Sequence, residues 1–121
     1  MAKLSDEAKK AIGEIHPAVV ASASKSGKPN VSAKGSLRVL DDDNVVFADV
    51  ASPRTLANLK ENPQVSVMCL DAAQHHSCRI WGVAQVITSG TLFEDLKKEF
   101  AARKMSVKNI VKIAVQEVEV S

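Results

Sequence analysis

The stretch Val45-Val46-Phe47-Ala48-Asp49-Val50-Ala51-Ser52-Pro53-Arg54-Thr55 reads as a buried strand running straight into the first turn of a helix. Branched and aromatic side chains favour a pleated, packed surface. Ser52 stands where an N-cap hydroxyl accepts from a first-turn N–H, and Pro53 suits the first helical position, where no N–H is needed. Arg54 and Thr55 then add a cation and a hydroxyl to a helix start that already carries unpaired N–H groups and partial positive charge. That combination can seat a phosphate. It is equally the pattern of an ordinary capped helix with a solvated arginine.

Outward from this stretch, the rest of the chain alternates. Val31, Ala33, Gly35, Leu37 and Val39 share one side of a strand spanning residues 30–40, and Ser32, Lys34, Ser36 and Arg38 share the other. Two cations and two hydroxyls therefore line up. A half-exposed antiparallel sheet gives the same pattern, but a glycine inside a strand often marks close approach by a ligand or another backbone. Residues 17–24 form a strand with one buried side, turning at Lys25-Ser26-Gly27-Lys28-Pro29. Residues 65–70 are apolar on both sides except at Ser66, as expected of a central strand. Residues 78–88 place Ile80, Gly82, Ala84 and Val86 on one side and Arg79, Trp81, Val83 and Ile87 on the other. That second side carries too much apolar area to stay wet, so it meets either another subunit, a ligand or the N-terminal helix. In the last strand the inward phase slips at Gln116-Glu117, which predicts a β-bulge.

Helices are expected over residues 5–15, 53–61 and about 91–104. His16-Pro17 and Asn62-Pro63 stop the first two. Thr91-Leu92-Phe93-Glu94 has the form of a capping box. Asn58 lies one turn beyond Thr55, near the same face. The sum is a mainly β (α+β) chain: six antiparallel strands with short connections and about three short helices, a small barrel in one domain over residues 1–121.

Composition narrows the partners. A net charge of +2 and only Phe47, Trp81, Phe93 and Phe100 as aromatics argue against a nucleic-acid surface. No apolar run reaches membrane-spanning length and the first residues are too polar for a signal peptide, which predicts a cytoplasmic protein with no membrane partner. Cys69 and Cys78 lack C-x-x-C spacing and flank a loop, where they can face each other across a hairpin. His75 and His76 lie in that loop. The spacing matches no zinc pattern, and no metal is expected.

Four pieces together carry a family resemblance: Gly27-Lys28-Pro29; Val31-Ser32-Ala33-Lys34-Gly35-Ser36-Leu37; residues 47–55; and Asn58-Leu59 with Asn62-Pro63-Gln64-Val65-Ser66-Val67. Over roughly residues 17–120 the chain resembles the pyridoxamine 5′-phosphate oxidase-like superfamily of FMN-binding split barrels. The resemblance implies a homodimer with two FMN molecules between the subunits. It assigns flavin contacts to Ser32, Ala33, Lys34, Gly35 and Ser36, a place beside the flavin to Phe47 and Ala48, and the phosphate to Arg54 with Thr55, near Asn58. The partner subunit is expected to reach in from around Ser77 and Arg79. The family's Arg- and Trp-containing substrate segment has no counterpart in Glu117-Val118-Glu119-Val120-Ser121, so oxidation of pyridoxamine phosphate is not implied. The expected function is an FMN-dependent oxidoreductase or electron-transfer protein of unknown substrate. The same fold carrying deazaflavin or haem, or a non-catalytic FMN-binding dimer, are the alternatives.

Overall fold

A computed structural model describes residues 3–121. Helix α1 (Asp6–Glu14) starts as its sequence dictates: the Ser5 hydroxyl accepts from the Ala8 N–H at 3.1 Å, with Asp6 and Glu7 in the first turn. The strands are β1 (Ala18–Ala23), β2 (Pro29–Lys34), β3 (Arg38–Val39), β4 (Asn44–Asp49), β5 (Gln64–Asp71), β6 (His76–Ile87) and β7 (Asn109–Val120). Helix α2 (Pro53–Glu61) follows β4, and α3 (Thr91–Ala101) joins β6 to β7. Every pairing is antiparallel, in the order β2-β1-β5-β6-β7-β4-β3.

The described residues form seven strands rather than six, because the expected 30–40 strand breaks at Gly35-Ser36 into β2 and β3. The alternation of side chains continues across this turn, so periodicity does not reveal it. The break shapes the fold. β2 and β3 lie at opposite ends of the sheet, yet only Gly35, Ser36 and Leu37 separate them. A link that short spans at most about 14 Å. The sheet must therefore curl until its two edges meet, giving a split barrel with a seam at residues 34–37.

The barrel interior holds Val20, Val45, Phe47, Val67, Ile80, Val111 and Ile113, with Ala8, Ala11 and Ile12 of α1 packed among them. All six residues of β4 are buried because both of its sides are covered: Val45 and Phe47 enter the barrel, while Val46 and Ala48 meet Phe93, Leu96 and Phe100 of α3. The expected bulge is present. Trp81 pairs with Glu117 and Gly82 with Val115, leaving Gln116 over. A Cβ on Gly82 would overlap the Ala114 carbonyl oxygen, so the bulged strands close only over a glycine.

Neither expected hydroxyl cap forms. Gly90, at φ 102°, occupies the cap position of α3, and Thr91 becomes its first helical residue. Ser52 caps α2 with its backbone carbonyl alone, which accepts from the Leu56 N–H at 3.0 Å, because its hydroxyl is taken by Lys34. The N-terminal helix does not cover the Trp81 side of β6, since it packs inside with Ile80 and Ala84. Register places Ala33, Val19, Met68 and Arg79 in one row on the outer side, and Val31, Ala21, Ser66 and Trp81 in the next. Val19, Val31, Met68 and Leu70 are exposed there. No helix among the described residues is long and apolar enough to cross a membrane.

Candidate functional site

The seam gathers half of the polar side chains expected to bind a ligand, Ser32, Lys34, Ser36 and Thr55. β2 turns its polar side inward: Ser32 pairs in register with buried Val20, while Val31 and Ala33 face out. Lys34 is only 8% exposed. Its ammonium bonds the Ser52 hydroxyl and lies 5.4 Å from the centre of the Phe47 ring. Burial pushes its pKa down from the usual lysine value, and the nearby Asp49 carboxylate partly opposes this.

Asp49, at the end of β4, sets the geometry of the α2 start. One carboxylate oxygen accepts from the Ser52 N–H at 3.1 Å, the other from the Asn109 side chain at 3.0 Å, and its carbonyl accepts from the Lys108 N–H at 2.9 Å. Asp49 has no role in the pattern of expected ligand contacts. Its signal was an acid between an apolar run and Ser-Pro. Ser36 is buried, and its hydroxyl accepts from the Ala48 N–H at 2.9 Å, stapling the seam to β4. Thr55 is also buried. Its hydroxyl lies 3.1 Å from that of Ser32, and accepts from the Asn30 amide at 3.3 Å. Ser32, Lys34, Ser36, Phe47, Ala48 and Thr55 thus form one connected cluster. Gly35 is exposed beside it, and a Cβ there would meet nothing within 4 Å, so none of this chain's own backbone crowds it.

Arg54 and Asn58 face elsewhere. With Ser24, Lys28, Pro29, Asn30 and Ala57 they line a hollow of about 260 Å³ between the β1–β2 turn and α2. The Asn58 amide donates to the Ser22 hydroxyl at 3.1 Å. Among the described residues neither Arg54 nor Lys28 has an ion-pair partner, whereas Arg38 grips Glu99 through two bonds of 2.6 and 2.7 Å, and Arg79 holds Glu119. In the sequence Lys28 belongs to the Gly27-Lys28-Pro29 turn of the family resemblance and Asn30 opens the next strand, and neither is expected at a ligand.

Ser77 and Arg79 are not brought to this cluster within one chain. They sit on β6, three strands from β2 and on the outer side, where Arg79 also lies 5.3 Å from the centre of the Trp81 ring. Ala33 shares that outer side. In the β5–β6 loop region, the His76 Nδ1 is 2.9 Å from the Ser121 carbonyl oxygen. Cys69 and Cys78 are direct cross-strand partners, buried and unbonded. Burial raises the Cys69 thiol from 9.0 to about 11.

A curled antiparallel sheet whose two edges meet at a polar seam beside a helix start defines a split barrel. The chain belongs to the family described as pyridoxamine 5′-phosphate oxidase, whose sequence model matches residues 4–121. A curated relative, the uncharacterized protein MJ0282 of Methanocaldococcus jannaschii, is 40% identical over 67 residues, which cover 54% of this chain and 44% of that protein. The chain thus matches less than half of that relative's length. Among solved structures, HupZ of Group A Streptococcus superposes with a TM-score of 0.88 at 27% identity, over 96% of this chain and 92% of its own. An FMN-binding protein from Syntrophomonas wolfei gives 0.83 at 18%, over 97% and 85%. HutZ, a haem storage protein from Vibrio cholerae, gives 0.71 at 21%, over 98% and 94%. The last two, at such identities, speak to the fold alone.

Proposed function

We propose that this chain binds FMN at the barrel seam, as a homodimer, and serves as a flavin-dependent oxidoreductase or electron-transfer protein. The observation that carries the reading is Arg54: a guanidinium without a carboxylate partner among the described residues, lining a hollow at the start of α2. A phosphate monoester carries close to two negative charges and three acceptor oxygens, which suits that seat. Family membership supports the same choice. The open space at Gly35 leaves room for a planar ring to approach the backbone of the seam. Bound flavin would supply the redox chemistry. This chain's part is then to hold the phosphate, flank the ring with Lys34 and the β2 edge, and shelter it from water.

In this reading the partner subunit brings its Ser77 and Arg79 region to the flavin. The haem alternative rests on His75 and His76, and the His76 ring is already engaged at the Ser121 carbonyl. The absorption spectrum of purified protein, before and after adding FMN, tests the assignment. The two-band spectrum of oxidised flavin is the expected result. A Soret band would replace flavin by haem, and protein that remains colourless with excess FMN would overturn cofactor binding altogether.

A further inference from the structure

We propose that Lys28 and Asn30, on the β1–β2 turn, are phosphate-binding residues that close on the anion from the side opposite Arg54 and Asn58, with Thr55 as the positioning residue for Asn30. The flavin reading above supplies the identity of the ligand. The anion seat itself stands on the hollow.

The turn is held rigidly. Gly27 at φ 91° reverses the chain, the Lys28 N–H donates to the Ser24 hydroxyl at 3.1 Å, and the Ser24 N–H donates to the Lys28 carbonyl at 3.0 Å. Two clamps then fix this turn against α2. At the helix start the Asn30 amide donates to the Thr55 hydroxyl, and at the helix end the Lys25 N–H donates to the Glu61 carboxylate at 3.0 Å. The hollow lies between the two clamps. Its lining contains two cations and two amides, and no carboxylate. The Asn30 amide spends one N–H on Thr55 and the Asn58 amide spends one on Ser22, leaving one N–H on each. Two unpaired cations held near each other repel, and a phosphate dianion between them removes that repulsion while accepting from all four groups.

Two measurements on the full chain test this. In the first, inorganic phosphate is titrated against labelled protein with the backbone amides followed by NMR, using chloride as the control. Phosphate is expected to shift the amides of Lys28, Asn30 and Arg54. In the second, FMN and riboflavin affinities are compared across variants. Lys28→Met is expected to weaken FMN about tenfold, the worth of one charge-assisted bond, and to leave riboflavin unchanged. Thr55→Val should weaken FMN and Thr55→Ser should restore it, a rescue that lost packing alone does not give. If phosphate shifts the Arg54 amide but not those of Lys28 and Asn30, or if Lys28→Met and Asn30→Ala bind FMN like the parent while Arg54→Ala does not, the seat is wrong and the flavin assignment survives. If phosphate shifts the amides but neither FMN nor riboflavin binds, the seat is right and the flavin assignment falls.

Discussion

A lysine enclosed by a sheet edge, an aromatic ring and a helix start is costly to the fold. Lys34 is nearly buried and its charge faces the positive end of α2, a cost that the Asp49 carboxylate, the Ser52 hydroxyl and the Phe47 ring only partly offset. Replacing it with methionine keeps the packing and removes the charge. Lys34→Met should therefore stabilise the ligand-free protein by about 1 kcal/mol, read from urea unfolding. FMN binding should weaken in the same variant, so stability and binding move in opposite directions. The sign of the pH effect follows from the lowered pKa. The folded state resists protonating this amine, so the penalty is complete below the depressed folded value and is relieved as pH climbs towards 10.5. Cys69 acts the other way. Its thiol is held neutral to about 11, so its contribution is intact below about pH 9 and is lost as pH rises through 11. Cys69→Ala should flatten the alkaline fall in stability between those values. At Arg54 the charge is exposed and uncommitted, and Arg54→Ala should cost FMN about 1.5–3 kcal/mol of affinity in a fluorescence titration, with little change in unfolding midpoint.

At the level of elements, the clearest structural demand falls on the β6–β7 bulge. Any side chain at Gly82 must push the Ala114 carbonyl and the Ile113 methyl out of contact. Backbone cannot yield as a long side chain does, so Gly82→Ala should cost about 1–3 kcal/mol, measured as a lower denaturation midpoint. The phase slip at Gln116-Glu117 made this bulge legible, because a two-residue period leaves one residue over when both halves must face inward. The start of α2 was legible for a different reason: Pro53 fits only a few backbone positions. Other elements were hidden. Polar alternation in β2 did not reveal which side faces in, since a helix start can satisfy hydroxyls and an ammonium as well as water can. Here Ser32 and Lys34 find Thr55 and Ser52. Thr55 and Ser36 were expected at a ligand, and the fold uses both hydroxyls within the chain. Gly27-Lys28-Pro29 marks the turn, but a lysine in a polar turn carries no sign of what the turn is clamped against.

At the scale of the whole molecule, the described residues leave the outer surface of β1, β2 and β5 without a cover. Val19, Val31, Met68 and Leu70 are exposed on the outer side of β1, β2 and β5, flanked by Ala21, Ala33 and half-buried Trp81. Contiguous apolar patches of this kind mark association surfaces. Arg79 and Ser77 lie on the same side, beside Met68 and Leu70 in register, and the seam cluster cannot reach them within one chain. A two-fold pairing through this surface would hide the apolar rows and deliver those two residues to a neighbour in one step. Val31→Glu with Leu70→Glu should therefore yield a monomer in sedimentation experiments, with the circular dichroism spectrum and unfolding midpoint close to the parent, because both side chains point away from the core. Flavin affinity should fall together with the dimer, although neither substitution touches Arg54 or Lys34. A variant that sediments as a dimer would place the subunit contact on another surface. One that becomes a monomer yet binds FMN at full strength would show the site complete in a single chain, and would remove Ser77 and Arg79 from it.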